Sequence, residues 1–157
     1  MDRLKILGYY QFAGGILGFF LLLNIWIPIW HKRNVEVLVI PIAFLFILLS
    51  TAGVLQITRN KKFLLLSIWI SIVLQILQVV SFSLKGMTYT FCASSYIGLQ
   101  VSDNIEVIFN LFLINFKISL ASTESFISVN FIPLLLIGLL YTEFQRISSL
   151  LPKVNIS

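Results

Sequence analysis

An uncharged stretch of 22 residues, Phe63 to Leu84 (FLLLSIWISIVLQILQVVSFSL), constrains this chain more than any other feature. A helix of about 20 apolar residues, rising ~1.5 Å each, crosses the hydrocarbon core of a bilayer. The polar residues of the stretch recur at helical spacing and share about one third of the helix circumference. They are Ser67, Ser71, Gln75, Gln78 and Ser81, here called the polar stripe. Because lipid cannot satisfy a glutamine amide, we expect the polar stripe to face protein or water.

Composition places the chain among integral membrane proteins. Of its 157 residues, 59% are hydrophobic and 11% are charged, whereas soluble domains carry about 25% charged residues. The net charge of +5 comes from basic residues beside apolar runs, so it favours a role in membrane topology and lipid-headgroup contact over nucleic-acid binding. We therefore expect one membrane domain covering residues 1–157, with the lipid bilayer as its surroundings.

Four apolar runs predict four transmembrane helices. They cover approximately residues 6–30, 35–57, 63–84 and 126–142. Between the last two lies segment 85–125, which contains polar residues throughout and alternates in places between polar and apolar residues. The expected fold class is an all-α membrane protein, namely a four-transmembrane-helix bundle with a small β-rich extracytoplasmic insert between helices 3 and 4.

The alternation within segment 85–125 favours short strands, because β-branched and aromatic residues recur there with period two. The strands are expected near residues 87–93, 96–101, 105–112 and 114–120. A rival interpretation makes 101–120 a further helix. Asn110, Asn115 and Lys117 interrupt that helix with polar groups, so the sheet is favoured.

Lysine and arginine are unevenly divided between the two ends of the predicted helices. The richer side holds Arg3, Lys5, Arg59, Lys61, Lys62, Arg146 and Lys153; the other holds Lys32, Arg33, Lys85 and Lys117. The richer side is expected in the cytoplasm. This predicts a multi-pass protein of the cell inner membrane, with both termini cytoplasmic and the insert periplasmic.

The first predicted span combines interfacial tyrosines with a face of small residues. Tyr9 and Tyr10 are expected at one membrane interface. Gly14 and Gly18 form a G-x-x-x-G pair beside Gln11, and such pairs let another helix approach closely. Packing against a span of the same chain is favoured over a contact between copies, and both remain open at this stage.

No reactive constellation emerges from the remaining polar residues. The one histidine, His31, adjoins Lys32 and Arg33, and the one cysteine, Cys92, is expected to be a small apolar filler. No carboxylate falls inside a predicted span. Asp103 and Glu106 are expected to lie at the edge of a solvent-exposed loop. We therefore predict no catalytic residue, no cofactor and no metal site.

Three stretches carry a resemblance to a known group of proteins. They are the opening KILGYYQFAGGILGFF, the LQILQ of the third apolar run and the aromatic-rich segment 85–125. Together they resemble uncharacterised small four-span membrane proteins of Bacteroidota. The resemblance implies a bacterial inner membrane and carries no activity with it.

Two functions remain compatible with these patterns. The first is a non-enzymatic accessory or assembly subunit, which would pack against other membrane protein subunits or against itself. The alternative is a homo-oligomeric membrane pore or a membrane-disrupting effector, for example in a defence system. The residues expected to pack helices or to line a pore are Gln11, Gly14, Gly18, Ser67, Ser71, Gln75, Gln78, Ser81 and Asn130. A small transporter would need internal symmetry or broken helices, and neither is evident.

Overall fold

A computed structural model describes residues 2–29, 36–59, 62–119 and 125–150 of the chain. Four helices and four strands occur within these ranges. In chain order they are α1 (Arg3–Ile29), α2 (Glu36–Thr58), α3 (Leu64–Val79), β1 (Val80–Leu84), β2 (Met87–Val101), β3 (Ile105–Ser119), β4 (Phe126–Asn130) and α4 (Phe131–Leu150). The predicted polar turn around His31 and the tail beyond residue 150 lie outside the described residues. The expectation of an all-α protein is wrong, because helices and a sheet are combined in one fold.

Among the described residues, three helices rather than four are long and apolar enough to cross a membrane. The qualifying segments are Arg3–Leu23, Pro41–Thr58 and Phe131–Ser149, with mean hydropathies of 1.7, 1.9 and 1.2. The remaining helix, α3, has only 16 residues. At ~1.5 Å per residue it is about 24 Å long, which is shorter than the ~30 Å hydrocarbon core of a bilayer. The predicted bundle of four transmembrane helices is therefore corrected.

Two of the apolar runs that were predicted as helices each contain a helix and a strand. The run predicted as a helix over 63–84 leaves the helix after Val79, and its last five residues form β1. The run predicted over 126–142 begins as β4, and its helix extends from Phe131 to Leu150. Both strands alternate between apolar and polar residues (VSFSL and FISVN). Their low charge resembles that of a helical span, whereas their period of two is that of a strand.

The four strands form one strongly curved antiparallel sheet in the order β1-β4-β2-β3, with β1 also paired to β2. The first part of β2 is antiparallel to β1, its last part is antiparallel to β4, and β1 and β4 are antiparallel to each other. The two parts of β2 must therefore run in opposite directions. The strand bends back near Ser95, where its register with β3 shifts. Each pair of predicted strands, 87–93 with 96–101 and 105–112 with 114–120, is thus one long bent strand.

The sheet packs between the helices and is not a separate insert. Phe91 and Ala93 of β2 belong to a buried apolar cluster with Ile42, Phe46 and Leu49 of α2. The rings of Phe46 and Phe91 meet edge to face with centroids 5.9 Å apart. Since Ile42, Phe46 and Leu49 lie inside the candidate span Pro41–Thr58, part of the sheet lies at the same depth as that span. The expectation of a separate β-rich insert is corrected accordingly.

Charged residues collect at the end of the helices that is opposite the sheet. Asp2 caps α1, because its carboxylate accepts the Leu4 backbone N–H at 3.2 Å. The same carboxylate is paired with Arg59 after α2 and lies 3.9 Å from Arg146 of α4. Arg146 also pairs with Glu143 at 2.5 Å. Because α4 continues to Leu150, Glu143 is a buried carboxylate inside a candidate span, which corrects the expectation that no span contains one.

Helices α1 and α2 are held at close range by glycines. A Cβ placed on Gly53 would lie 2.6 Å from the carbonyl oxygen of Gly8 and 2.7 Å from the backbone nitrogen of Phe12. Neither contact leaves room for a methyl group, and both obstacles are backbone atoms. The two helices would have to separate to accept any larger residue at Gly53.

Replacing Gly53 by alanine should therefore destabilise the protein. We expect Gly53→Ala to cost about 1–3 kcal/mol through overpacking. Gly138→Ala is the matched control, because a Cβ there meets nothing within 4 Å and alanine in a helix gains about 0.5–1 kcal/mol over glycine. Thermal unfolding in detergent, followed by circular dichroism, should give a lower melting temperature for Gly53→Ala only. Equal melting temperatures for the two variants would contradict the close helix contact.

Candidate functional site: a buried polar core joining helices and sheet

The polar stripe is buried along its whole length. Each of its five residues is at most 4% exposed. Ser67, Ser71, Gln75 and Gln78 lie on α3, while Ser81 lies on β1. The stripe therefore runs from the helical half of the protein into the sheet.

Ser71 is the centre of the helical part, which we call the amide cluster (Gln11, Gln56, Ser67 and Ser71). Gln56 of α2 donates from Nε2 to the Ser71 hydroxyl at 2.7 Å, and its Nε2 is also 3.4 Å from the Ser67 carbonyl oxygen. The Ser71 Oγ is 2.6 Å from Gln11 Oε1 and 2.8 Å from the Ser67 carbonyl oxygen. The cluster thus connects α1, α2 and α3 through neutral hydrogen bonds.

Three amide atoms around this cluster have no hydrogen-bond partner among the described residues. They are Gln11 Nε2, Gln56 Oε1 and Gln75 Oε1. Each is buried, and an unpaired buried amide group costs about 1–3 kcal/mol. One donor and two acceptors could bind a neutral hydrogen-bonding group. They offer no charge with which to hold an ion.

The bend in β2 is held by side chains from two helices, α1 and α3. Ala93 donates its backbone N–H to Gln78 Oε1 at 2.9 Å, and Ser95 donates its backbone N–H to the Tyr10 hydroxyl at 3.3 Å. Gln78 also donates from Nε2 to the Leu74 carbonyl of its own helix at 3.2 Å. Sequence analysis assigned Tyr10 to a membrane interface and missed this contact. The only feature of the sequence that could have indicated this contact is the hydroxyl group of Tyr10.

Asn130 stands at the junction of β4 and α4 and completes the support of the bend. Its Oδ1 accepts the backbone N–H groups of Ile97 and Ile132, both at 3.2 Å. Its Nδ2 donates to the Ser95 carbonyl at 3.3 Å. One side chain thus caps the start of α4 and replaces ladder hydrogen bonds in β2.

An open pocket of about 190 Å³ lies on the polar side of the sheet. Ser128 is hydrogen-bonded there to Tyr96, and Ser83 to Thr88 nearby at 2.7 Å. Sequence analysis identified Ser81 of this lining and missed the other members, since their strands had not been joined into one sheet. The lining residues are Ser81, Thr90, Tyr96, Gln100, Ile108, Phe126 and Ser128.

Within the predicted G-x-x-x-G pair, Gly18 contacts another helix of the same chain. Gly14 and Gly18 are both buried, and a Cβ on Gly18 would overlap the ring of Phe46 on α2. The closest backbone approaches of α1 and α2 involve Gly8, Gly15 and Gly53 instead. The motif therefore marks the correct face of α1, while the tightest contacts lie at neighbouring glycines.

The chemistry that this core offers is hydrogen bonding between neutral groups. Among the described residues, no group of three or more His, Cys, Asp or Glu side chains could hold a metal ion. Comparison of the chain with protein-family models, with curated proteins and with solved structures finds no match. Any functional conclusion must therefore come from the geometry itself.

The two glutamines of α3 provide a matched test of this core. Both are 1% exposed, but Gln78 Oε1 accepts the Ala93 N–H whereas Gln75 Oε1 has no partner. We expect Gln78→Leu to destabilise the protein by about 1–3 kcal/mol, because it leaves a buried N–H unpaired. Gln75→Leu should be neutral or stabilising, because it removes an unsatisfied amide.

Chemical unfolding of the two variants in the same detergent, followed by tryptophan fluorescence, measures the difference. The order of stabilities is the decisive result. If Gln75→Leu were the more destabilised variant, the assigned hydrogen bond to Ala93 would not hold the bend.

Proposed function

We propose that this chain is a non-enzymatic accessory or assembly subunit of a larger complex in the bacterial inner membrane. The observation that carries the proposal is the free edge of β3. Among the described strands, β2 alone pairs with β3, and β3 stands at the end of the sheet order. The strand is 15 residues long, which is long for an edge strand.

The part of β3 nearest the β2–β3 turn is uncovered. Ile105, Val107 and Phe109 are 75%, 76% and 64% exposed. No proline interrupts β3, and its sequence contains only one acidic and one basic residue. Natural proteins usually blunt such edges with charge, proline or a covering element. A strand added by another subunit would satisfy the backbone groups along this edge.

The polar core supports an assembly role over a catalytic one. Its hydroxyl and amide groups are engaged mainly in joining α1, α2, α3 and the sheet to one another. Such contacts contribute about 0.6 kcal/mol each between membrane helices, with a maximum near 1.7 kcal/mol. They give the chain a defined shape that it can present to a partner.

Orientation follows from the positions of the charged residues. The end of the helices that carries Arg59 and Arg146 would face the cytoplasm, in keeping with the excess of basic residues there. The strand ends near Lys85 and Asp103 would then lie on the periplasmic side. Both chain termini would be cytoplasmic.

The alternative of a homo-oligomeric pore draws less support from the geometry. A pore lined by the polar stripe would require its side chains to face outwards from each copy. Instead, Ser71 and Gln78 are bonded within one chain and are at most 1% exposed. The pore remains a prediction, with a loss of conductance in a Gln75→Leu, Gln78→Leu double variant as its test.

Site-specific photo-crosslinking in native membranes tests the subunit proposal. A photoreactive amino acid at Val107 should give an adduct with a second membrane protein, because β3 has an open side. Leu99 is the matched control: it pairs directly with Val107 but lies between β3 and β4. We expect far less adduct from Leu99, and native mass spectrometry should identify the same partner in mild detergent.

Three outcomes can be separated in this experiment. An adduct between Val107 and a different protein supports the accessory role. An adduct at twice the mass of the chain would favour self-association instead. A monomer without any adduct from native membranes would refute both.

A further inference from the structure

The exterior and the interior of the sheet have the reverse of the usual polarity. Directly paired residues lie on the same face of a sheet, and here the outward pairs are apolar: Leu99 with Val107, Val101 with Ile105, and Val101 with Ile127. The residues between them face the pocket or the core and include Ser128 and Gln100. Sheets in water bury their apolar face, whereas membrane-embedded barrels expose it to lipid and keep polar groups inside.

The pairing register fixes the height of this outer face. Phe82 pairs with Tyr89 and with Ile127, and Ile127 pairs with Val101. Tyr89 and Val101 therefore lie at about the same level, on the two oppositely directed parts of β2.

Phe91 is two residues closer to the bend than Tyr89, and Leu99 is two residues closer to it than Val101. Phe91 and Leu99 therefore share the next level, and Leu99 pairs with Val107. Phe91 packs against Phe46, which lies inside the candidate span Pro41–Thr58. The exposed Val107 is consequently level with the interior of that span. Phe109 is two residues deeper again, because β3 runs from its turn towards the bend.

Helix lengths agree with this placement. The helix α3 is about 24 Å long at ~1.5 Å per residue, too short for a ~30 Å core. Its direct continuation as β1 adds five residues, or about 16 Å at ~3.3 Å per residue. The neighbouring unit of β4 and α4 runs in the opposite direction, with α4 packed on α3 and β4 paired with β1.

We infer that the sheet lies within the lipid bilayer, where its outer face contacts acyl chains and the units α3–β1 and β4–α4 complete two further membrane crossings. The outer face consists of Ile97, Leu99, Val101, Ile105, Val107, Phe109, Ile127 and Val129. It carries no charge and continues the exposed apolar surface of α3, where Val73 and Ile76 are also exposed. Lys85 and Asp103 lie in the turns at the outer ends of the strands, where the headgroups would be.

Backbone hydrogen bonding within the chain permits this location for β1, β2 and β4, whereas the open edge of β3 would pair with the partner strand of the proposed function. In lipid every backbone N–H and C=O group needs a partner within the protein. Strand β1 has neighbours on both sides, β4 has neighbours on both sides, and β2 has β3 in addition to them. Where β2 bends, Gln78, Tyr10 and Asn130 supply the missing partners.

The inference rests on the proposed function, both for the membrane location and for the partner strand that would satisfy the edge of β3 in lipid. Spin labels on the protein, purified with its partner in mild detergent and reconstituted into phosphatidylcholine and phosphatidylglycerol vesicles, test it. Labels are attached to Leu99→Cys and Val101→Cys on β2, with Ile127→Cys as a further position on the same face should either variant fold poorly. The unsubstituted chain serves as the blank, because its single cysteine, Cys92, is fully buried.

The measured quantity is the ratio of label collisions with oxygen, which concentrates in lipid, to collisions with a water-soluble nickel chelate. Val73→Cys on the exposed side of α3 is the lipid reference, and Asp103→Cys in the β2–β3 turn is the water reference. We expect Leu99→Cys and Val101→Cys to match the lipid reference, with a ratio several-fold above that of Asp103→Cys. Leu99→Cys should give the higher value of the two because it lies deeper.

Each contrary result has a distinct meaning. If the sheet labels matched Asp103→Cys while Val73→Cys remained lipid-exposed, the sheet would lie outside the bilayer and the inference would be wrong. If collisions with both reagents were low, a second copy rather than lipid would cover the face, which also refutes it. If Val73→Cys were itself water-exposed, the membrane location in the proposed function would fail as well.

Discussion

The structure depends on one constraint, namely that polar backbone and amide groups buried among apolar side chains must find partners within the chain. The constraint is most visible where regular secondary structure is interrupted. At the bend of β2 the ladder hydrogen bonds are disturbed, and Gln78 and Asn130 accept the N–H groups of Ala93 and Ile97. The same glutamine and asparagine belong to α3 and to the start of α4. These contacts therefore satisfy the backbone N–H groups at the bend and also fix the sheet to the helices.

The sequence allows the buried polar face of α3 to be predicted, because its members recur with the helical period. It does not reveal where α3 ends. Ser81 fits both the helical spacing from Ser67 and a period-two alternation with Ser83, so the stripe reads equally well as helix or strand at this point. The first residues of β4 present the same ambiguity. A prediction based on hydropathy therefore extends both helices through strands that are equally apolar.

Other features depend on contacts between distant parts of the chain and have no local signal. The alternation predicts short strands near 105–112 and 114–120, and one continuous strand, Ile105–Ser119, is found. Nothing in that alternation shows that β2 turns back on itself or that Tyr10, 85 residues away, reaches Ser95. Likewise, Glu143 lies in a predicted tail until the added length of α4 brings it beside Asp2 and Arg146.

The change from helix to strand along the polar stripe explains how two kinds of secondary structure share one core. On α3 the inward residues follow the helical period through Gln75 and Gln78, and on β1 they continue with period two through Ser81 and Ser83, all of them buried. The outward residues on both sides of the junction remain apolar, as at Val80. A helix cannot bend as tightly as the sheet does, and a sheet cannot satisfy its own backbone over its whole perimeter unless it closes. By joining a short helix to a curved sheet, the α3–β1 unit buries its polar residues and keeps apolar residues on its outer side across the junction.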